Sequence, residues 1–263
     1  MRFTDKVAII SGGSAGMGKA AAIGFAKEGA SVVITARSKE NCAAVAAEIK
    51  ALGGKVLAVP GDINNDDHIY SVVDQTLKAF GKVDILFNYA GGSPDYKPVS
   101  MFINEDKDYW DKLIRVNLWA TIIFCRAVLD PMMKQKYGKI VNTAAMAGKV
   151  GAARMTVYSG AKAGVIGFTK GLAQEMVPYN INVNCVCPGP IATPGAEKVI
   201  GAMMKAEAAA GSGPASPPPG RPGVMARMGT AWEVASAVLY LASDDAAFIN
   251  GQPLSVDGGG SMV

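Results

Sequence analysis

Residues 140–148 read IVNTAAMAG, and residues 158–162, after a variable run, read YSGAK. The first string is a short apolar strand running into a turn of small residues. The second opens a helix, where a spacing of four stacks Tyr158 and Lys162 on one face. A phenol in water has a pKa of about 10, too high for easy proton exchange at neutral pH. A neighbouring ammonium favours the phenolate, so the spacing predicts a tyrosine prepared for proton transfer. Alone, such a pair on a helix reads as two solvated side chains. What lies upstream and downstream gives it weight.

Upstream, Val7–Ile10 is a compact apolar run, followed by SGGSAGMG at residues 11–18. A helical pattern from Lys19 to Glu28 comes next, closed by Gly29. Between a strand and a helix these glycines have assigned work. Gly12 permits a tight turn, Gly16 lets backbone approach a pyrophosphate, and Gly18 lets the helix pack on the strand. The helix N-terminus offers free N–H groups to phosphates. The spacing is G-x-x-x-G-x-G rather than G-x-G-x-x-G. Ser31–Thr35 is a second, β-branched strand, and no carboxylate follows it until Glu40. A carboxylate at that strand end would bind a ribose 2′-OH, whereas an arginine suits a 2′-phosphate. Arg37 and Ser38 therefore favour NADP over NAD as cofactor.

The alternation continues along the chain. Lys55–Val59 reads as a strand left by Gly61, Asp62 and Ile63, and Asp66–Phe80 as a helix. Val83–Phe87 is a fourth strand ending in the turn NYAGG at residues 88–92. His68, the only histidine, lies among Asn and Asp and reads as solvated. Asp106–Lys136 is a long helical region, broken or bent near Asn117, with Pro131 near its end. Ile181–Val186 is the sixth strand, Trp232–Leu241 a helix and Gln252–Val256 the seventh strand. Strands separated by amphipathic helices predict a Rossmann-type, doubly wound α/β fold with a parallel sheet of about seven strands, helices on both faces and residues 1–263 as a single domain. In such sheets ligands bind beyond the carboxyl ends of the strands, where all these motifs converge. Residues 194–228 break the rhythm. Met and Ala at helical spacing lead into GSGPASPPPGRPG, read as a substrate lid on a proline-stiffened hinge.

Composition narrows the classes. The chain has 263 residues and a formal net charge of +4, with no Lys/Arg cluster or basic helix, so neither nucleic acid nor a membrane surface is an expected partner. The four cysteines have no C-x-x-C metal spacing, and three lie in apolar runs, which fits buried free thiols in a reducing compartment. The first apolar segment is too short for a signal peptide or a membrane span. The expectation is a soluble cytoplasmic protein without a metal.

Taken together, these motifs resemble the short-chain dehydrogenase/reductase family over about residues 4–193 and 226–260. The resemblance implies hydride exchange between a nicotinamide cofactor and a ketone or secondary alcohol. It implies cofactor contacts from Gly12, Ser14, Gly16, Met17 and Gly18, with Ser11 where Thr is usual. Arg37, Ser38, Asp62 and Ile63 would flank the adenosine. Asn88, Ala90 and Gly91 stand in the family's Asn-Asn-Ala-Gly turn. Pro188, Gly189, Ile191 and Thr193 would line the nicotinamide. Tyr158 resembles the catalytic acid/base, Lys162 its partner on the nicotinamide ribose, and Asn117 the helix asparagine holding a relay water. A homotetramer is also implied, through helices at 117–136 and 158–177.

One position departs. The family's catalytic serine, thirteen residues before the tyrosine, is here Ala145, preceded by Ala144. Losing one donor to a developing oxyanion costs on the order of 10²–10³ in rate. Thr143 faces the same side of the strand but lies roughly 6–7 Å back along the chain. Ser159 should point off the catalytic face. Three explanations stand: an engineered Ser-to-Ala form, a member that binds without turnover, or a recruited donor. The first is favoured, because every other catalytic position is intact. Trp110, Trp119, Tyr96, Met146, Met155, Met203 and Met204 are candidates to line an apolar pocket for an aromatic, alicyclic or steroid-like ketone.

Overall fold

Val7–Ser11 (β1) is buried along its whole length. A strand covered on both faces has no polar side to show, which is why parallel strands read as continuous apolar runs. The computed structural model describes residues 1–93, 99–199, 201 and 225–263. After β1 come Gly16–Lys27 (α1), Ser31–Thr35 (β2), Lys39–Ala51 (α2), Val56–Ala58 (β3) and Asp66–Phe80 (α3). Ile85–Asn88 (β4), Lys107–Ile114 (α4), Ala120–Gln135 (α5), Gly138–Thr143 (β5), Met146–Val150 (α6) and Thr156–Glu175 (α7) follow. Ile181–Pro188 (β6), Ile191–Ala192 (β7), Gly229–Thr230 (β8), Ala231–Leu241 (α8) and Pro253–Val256 (β9) complete the order.

Seven strands form one parallel sheet in the order β3-β2-β1-β4-β5-β6-β9. The order reverses between β1 and β4, the switch point at which crevices open in doubly wound sheets. Alternation along each strand divides the core. Ile10, Val32, Ile34, Phe87, Val141 and Val186 pack towards Phe25 of α1, Val45 and Ile49 of α2, and Val234 and Leu239 of α8. Ile9, Val33, Leu86, Ile140 and Val183 pack on the other face with Val72 of α3, Phe124 and Val128 of α5 and Leu172 of α7.

Local chemistry sets the helix limits. Asn65 accepts the Asp67 amide at the start of α3, and Gly81 ends it in the left-handed region at φ 77°. Thr230 and Glu233 form a reciprocal capping box on α8. The long helical region bends where the sequence places the break: Arg115–Trp119 form a π-helical turn between α4 and α5. Pro131 lies in the last turns of α5.

Two elements differ from the expectation. The first helix begins at Gly16 rather than Lys19, so Gly16 and Gly18 are helical residues. His68 is not a solvated side chain: its Nε2 is 2.9 Å from Thr35 Oγ1, and burial lowers its pKa. Its neighbours in sequence are polar, but the start of α3 tucks the ring against the Gly61 backbone. Trp119 is 45% exposed. Of the 194–228 segment, residues 194–199 are helical, Gly229–Thr230 beyond its end pairs with Ile191–Ala192, and residues 200 and 202–224 lie outside the described residues, as do Tyr96, Met203 and Met204.

Candidate active site

The loop after β1 turns through two left-handed glycines, Gly12 at φ 71° and Gly16 at φ 52°. L-residues with a side chain rarely hold that conformation. Gly18 is constrained by space instead: a Cβ there would meet the Gly12 carbonyl oxygen at 2.3 Å. Ala15 stands at the cap position of α1 and offers no side-chain cap, and the first turn has no acidic residue. Its terminal amides therefore keep their positive end for an outside anion. A cleft of about 980 Å³ opens beside this loop at the switch point. Gly12, Ser14 and Ala15 line it, with Ala36, Arg37 and Ser38 after β2, Gly61, Asp62 and Ile63 after β3, and Tyr89, Ala90 and Gly91 after β4. Phosphate loop, strand-end arginine and asparagine turn thus meet around one space, which suits a nucleotide with an anionic diphosphate.

Several sequence candidates prove to have internal partners. Asn88 is 3% exposed and turns into the sheet, donating to Asn142 Oδ1 at 2.9 Å, so its side chain braces β4 against β5 instead of facing the cleft. Ser11 does the joining beside it: its hydroxyl accepts the amides of Tyr89 and Ala90 at 3.1 and 3.2 Å. Ser38 accepts the Asn41 amide as the cap of α2 and donates to Glu40. Arg37 is exposed and forms no ion pair among the described residues. Asp62 Oδ1 accepts the Asn64 amide, and Thr193 Oγ1 accepts the amide of Ala196. Asn117 is fully buried in the π-helical turn. Its amide oxygen accepts from the Gly92 N–H, and its NH₂ donates to the carbonyls of Gly92 and Leu113. Both donor hydrogens are spent, so any water it held would sit on an acceptor.

Tyr158 and Lys162 lie in the first turns of α7. The lysine is 3% exposed, its Nζ donates to the Thr143 carbonyl at 2.8 Å, and it stands 5.8 Å from the Tyr158 ring centre. Strand β5 thereby fixes the ammonium beside the phenol. The direction of the phenol's shift differs from the sequence expectation. Burial, then the neighbouring Tyr89 phenol, push Tyr158 up to about 12. Burial brings Lys162 down to about 8. Desolvation penalises both charged forms.

Ala145 is 7% exposed, follows β5 in an extended conformation and precedes α6. Two hydroxyls stand near it in sequence. Ser159 Oγ accepts the Ala152 amide at 3.1 Å. Thr143 Oγ1 is buried without a hydrogen-bond partner among the described residues. Of the apolar candidates, Trp110 donates to Glu105 and stacks on Phe102, ring centres 4.9 Å apart, while Met146 and Met155 are half-buried. Among the described residues no group of three His, Cys, Asp or Glu side chains could hold a metal, all four cysteines are free, and no helix is long and apolar enough to cross a membrane.

The sequence profile of the short chain dehydrogenases matches residues 6–203. The chain belongs to the short-chain dehydrogenase family. A cyclopentanol dehydrogenase of Comamonas sp. is 37% identical over 258 residues, 98% of each chain. A 3-oxoacyl-(acyl-carrier-protein) reductase of Thermotoga maritima is 37% identical over 259 residues, covering 98% of this chain and 99% of the relative. The crystal structure of levodione reductase superposes with a TM-score of 0.89 at 31% identity, covering 98% of each chain. This short-chain dehydrogenase is therefore an oxidoreductase of a family that uses NAD(P) and acts on alcohol- and ketone-type substrates.

Tyr89 is a site residue that the motifs alone do not single out. It occupies the second position of the asparagine turn, and its side chain is a near neighbour of Gly12, Gly16 and Gly18 alike. A phenol where the resembled turn has a carboxamide was the available signal.

Proposed function

We propose that this short-chain dehydrogenase is an NADP(H)-preferring oxidoreductase that interconverts a ketone and a secondary alcohol, with turnover impaired by Ala145. The observation that carries the proposal is the anchored pair: Lys162 held by the Thr143 carbonyl beside Tyr158, at the strand ends where the glycine loop opens. The bound nicotinamide would supply hydride exchange with the substrate carbon. The chain's own residues would do the rest. Gly12, Ser14, Gly16, Met17 and Gly18 would seat the diphosphate, and Pro188, Gly189, Ile191 and Thr193 would flank the nicotinamide. Asp62, Ile63, Ala90 and Gly91 would border the adenosine. Tyr158 would give its proton to a ketone oxygen, or take one from an alcohol. Lys162 would hold the ribose and, once protonated, favour loss of that proton. Asn117 would position the relay water.

The similarity to a cyclopentanol dehydrogenase favours an alicyclic alcohol or ketone as substrate. A second copy of the chain fits the face of α7, where Gly160, Gly167 and Gly171 have open space in place of a side chain, in keeping with the expected homotetramer. Buried free thiols fit a cytoplasmic setting. Turnover-free nucleotide binding is the second reading, favoured by the missing donor at position 145. NAD as the cofactor is the alternative to NADP.

The cofactor assignment rests on Arg37, exposed at the cleft rim with no carboxylate partner among the described residues. Arg37→Ala should weaken NADPH by about tenfold or more, the loss of a charge-assisted contact, and leave NADH nearly unchanged. Nucleotide fluorescence titration reads this directly. Equal weakening, or tighter NADH binding by the parent, would reverse the assignment.

Lys162 supplies a pH test. Its value is lowered to about 8, so its ammonium is present below that pH and is lost as pH rises through it. A bound anionic nucleotide favours the protonated form. Affinity should therefore be greatest below pH 8 and fall above it. Lys162→Met should bind more weakly with a flat profile. A parent profile as flat as the variant's would contradict the assigned role.

A further inference from the structure

The three glycines of the loop share one neighbour. A Cβ on Gly12 would meet Tyr89 Cδ1 at 2.9 Å, one on Gly18 would meet the same atom at 2.4 Å, and one on Gly16 would meet the Tyr89 hydroxyl at 2.7 Å. The loop is therefore shaped around a tyrosine ring as well as around whatever lies above it. The ring is held from below. Its backbone amide donates to Ser11 Oγ, and the ring stacks on Phe87 with centres 6.0 Å apart. From that base the hydroxyl emerges beside Gly16. The Thr193 side chain stands 3.3 Å from the same Gly16 Cβ point. Tyr89 lines the cleft and lies near enough to Tyr158 to disfavour ionisation of the Tyr158 phenol. Its hydroxyl thus occupies the junction of three features: the phosphate loop, the segment after β6 and the proton-transfer tyrosine.

We infer that the Tyr89 hydroxyl is a ligand for the diphosphate of the bound dinucleotide, on the side that leads to the nicotinamide. This rests on the reading of the cleft as a dinucleotide site. A neutral phenol donating to a phosphate oxygen makes a charge-assisted hydrogen bond. The resembled turn has asparagine here, and the longer tyrosine carries its polar atom out to the level of Gly16. The contact does not depend on the 2′-phosphate, so it serves NADPH and NADH alike. It fixes the half of the cofactor that must be aimed at Tyr158.

Tyr89→Phe keeps the ring among the glycines and removes only the hydroxyl. Fluorescence titration should show the dissociation constants of NADPH and NADH both rising about tenfold or more. The affinity for 5′-AMP, which carries only the adenosine-side phosphate, should stay within about twofold by calorimetry. Unchanged dinucleotide affinity would overturn the inference, and so would equal weakening of 5′-AMP, which would place the effect in the adenosine half. If the parent bound neither dinucleotide, the reading of the cleft itself would fail and the inference with it. Arg37→Ala separates the two contacts, since it should discriminate between the nucleotides where Tyr89→Phe does not.

Discussion

Ala145→Ser should raise kcat by about 10²-fold or more with little change in the affinity for nucleotide. The backbone is already suited to the exchange. Ala145 is extended, at φ −163° and ψ 159°, a conformation any residue adopts, so the hydroxyl enters without moving the chain. The methyl it replaces is buried between the end of β5 and the start of α6. A hydroxyl there would be preorganised, with little solvent to compete for it. Serine at this place can also cap α6, stabilising it by about 1 kcal/mol, so thermal stability should hold or rise. Steady-state turnover of a panel of secondary alcohols and ketones with NADP(H) measures the gain. An increase in kcat at constant KM means a donor that acts in the transition state. No gain, with nucleotide and substrate shown to bind, would reject the impaired-enzyme reading and leave binding without turnover.

Tyr158→Phe, made in the Ala145→Ser background, should cost about 10²–10⁴ in kcat. Phenylalanine keeps the ring beside Lys162 and removes only the exchangeable proton. Nucleotide affinity should therefore be retained, because the lysine remains held by the Thr143 carbonyl at 2.8 Å. A variant with undiminished turnover would show that another group carries the proton. Tyr89 would be the first to test, being the phenol close enough to perturb Tyr158.

Much of the architecture is legible in the chain. Ser31–Thr35 and Asp66–Phe80 have the limits expected of them, one as a β-branched run and the other between an asparagine cap and a left-handed glycine. The break at Asn117 is also where it was expected. The start of α1 was missed because glycines are poor helix formers, and here close packing around Tyr89 holds them in the helix. Met146–Val150 reads as the end of a small-residue turn and the start of a variable run, because five residues are too few to show a helical period. His68 has polar neighbours in sequence and Asn88 stands in a turn motif, and neither context shows where the side chain turns. Which way a side chain turns depends on long-range packing: against Gly61 for one, against Asn142 for the other. The shift of Tyr158 was read with the wrong sign, since spacing reveals the lysine one turn away but not the burial that outweighs it.

The proposed reaction would require the nicotinamide to lie before Tyr158 while the diphosphate rests on the amides that open α1. A crystal structure of the protein soaked with NADPH measures this directly. The expected density places the diphosphate against Gly16–Gly18, the 2′-phosphate beside Arg37 and the nicotinamide ring facing the Tyr158 oxygen. Nucleotide bound outside the cleft, or a ring turned away from that oxygen, would contradict the account.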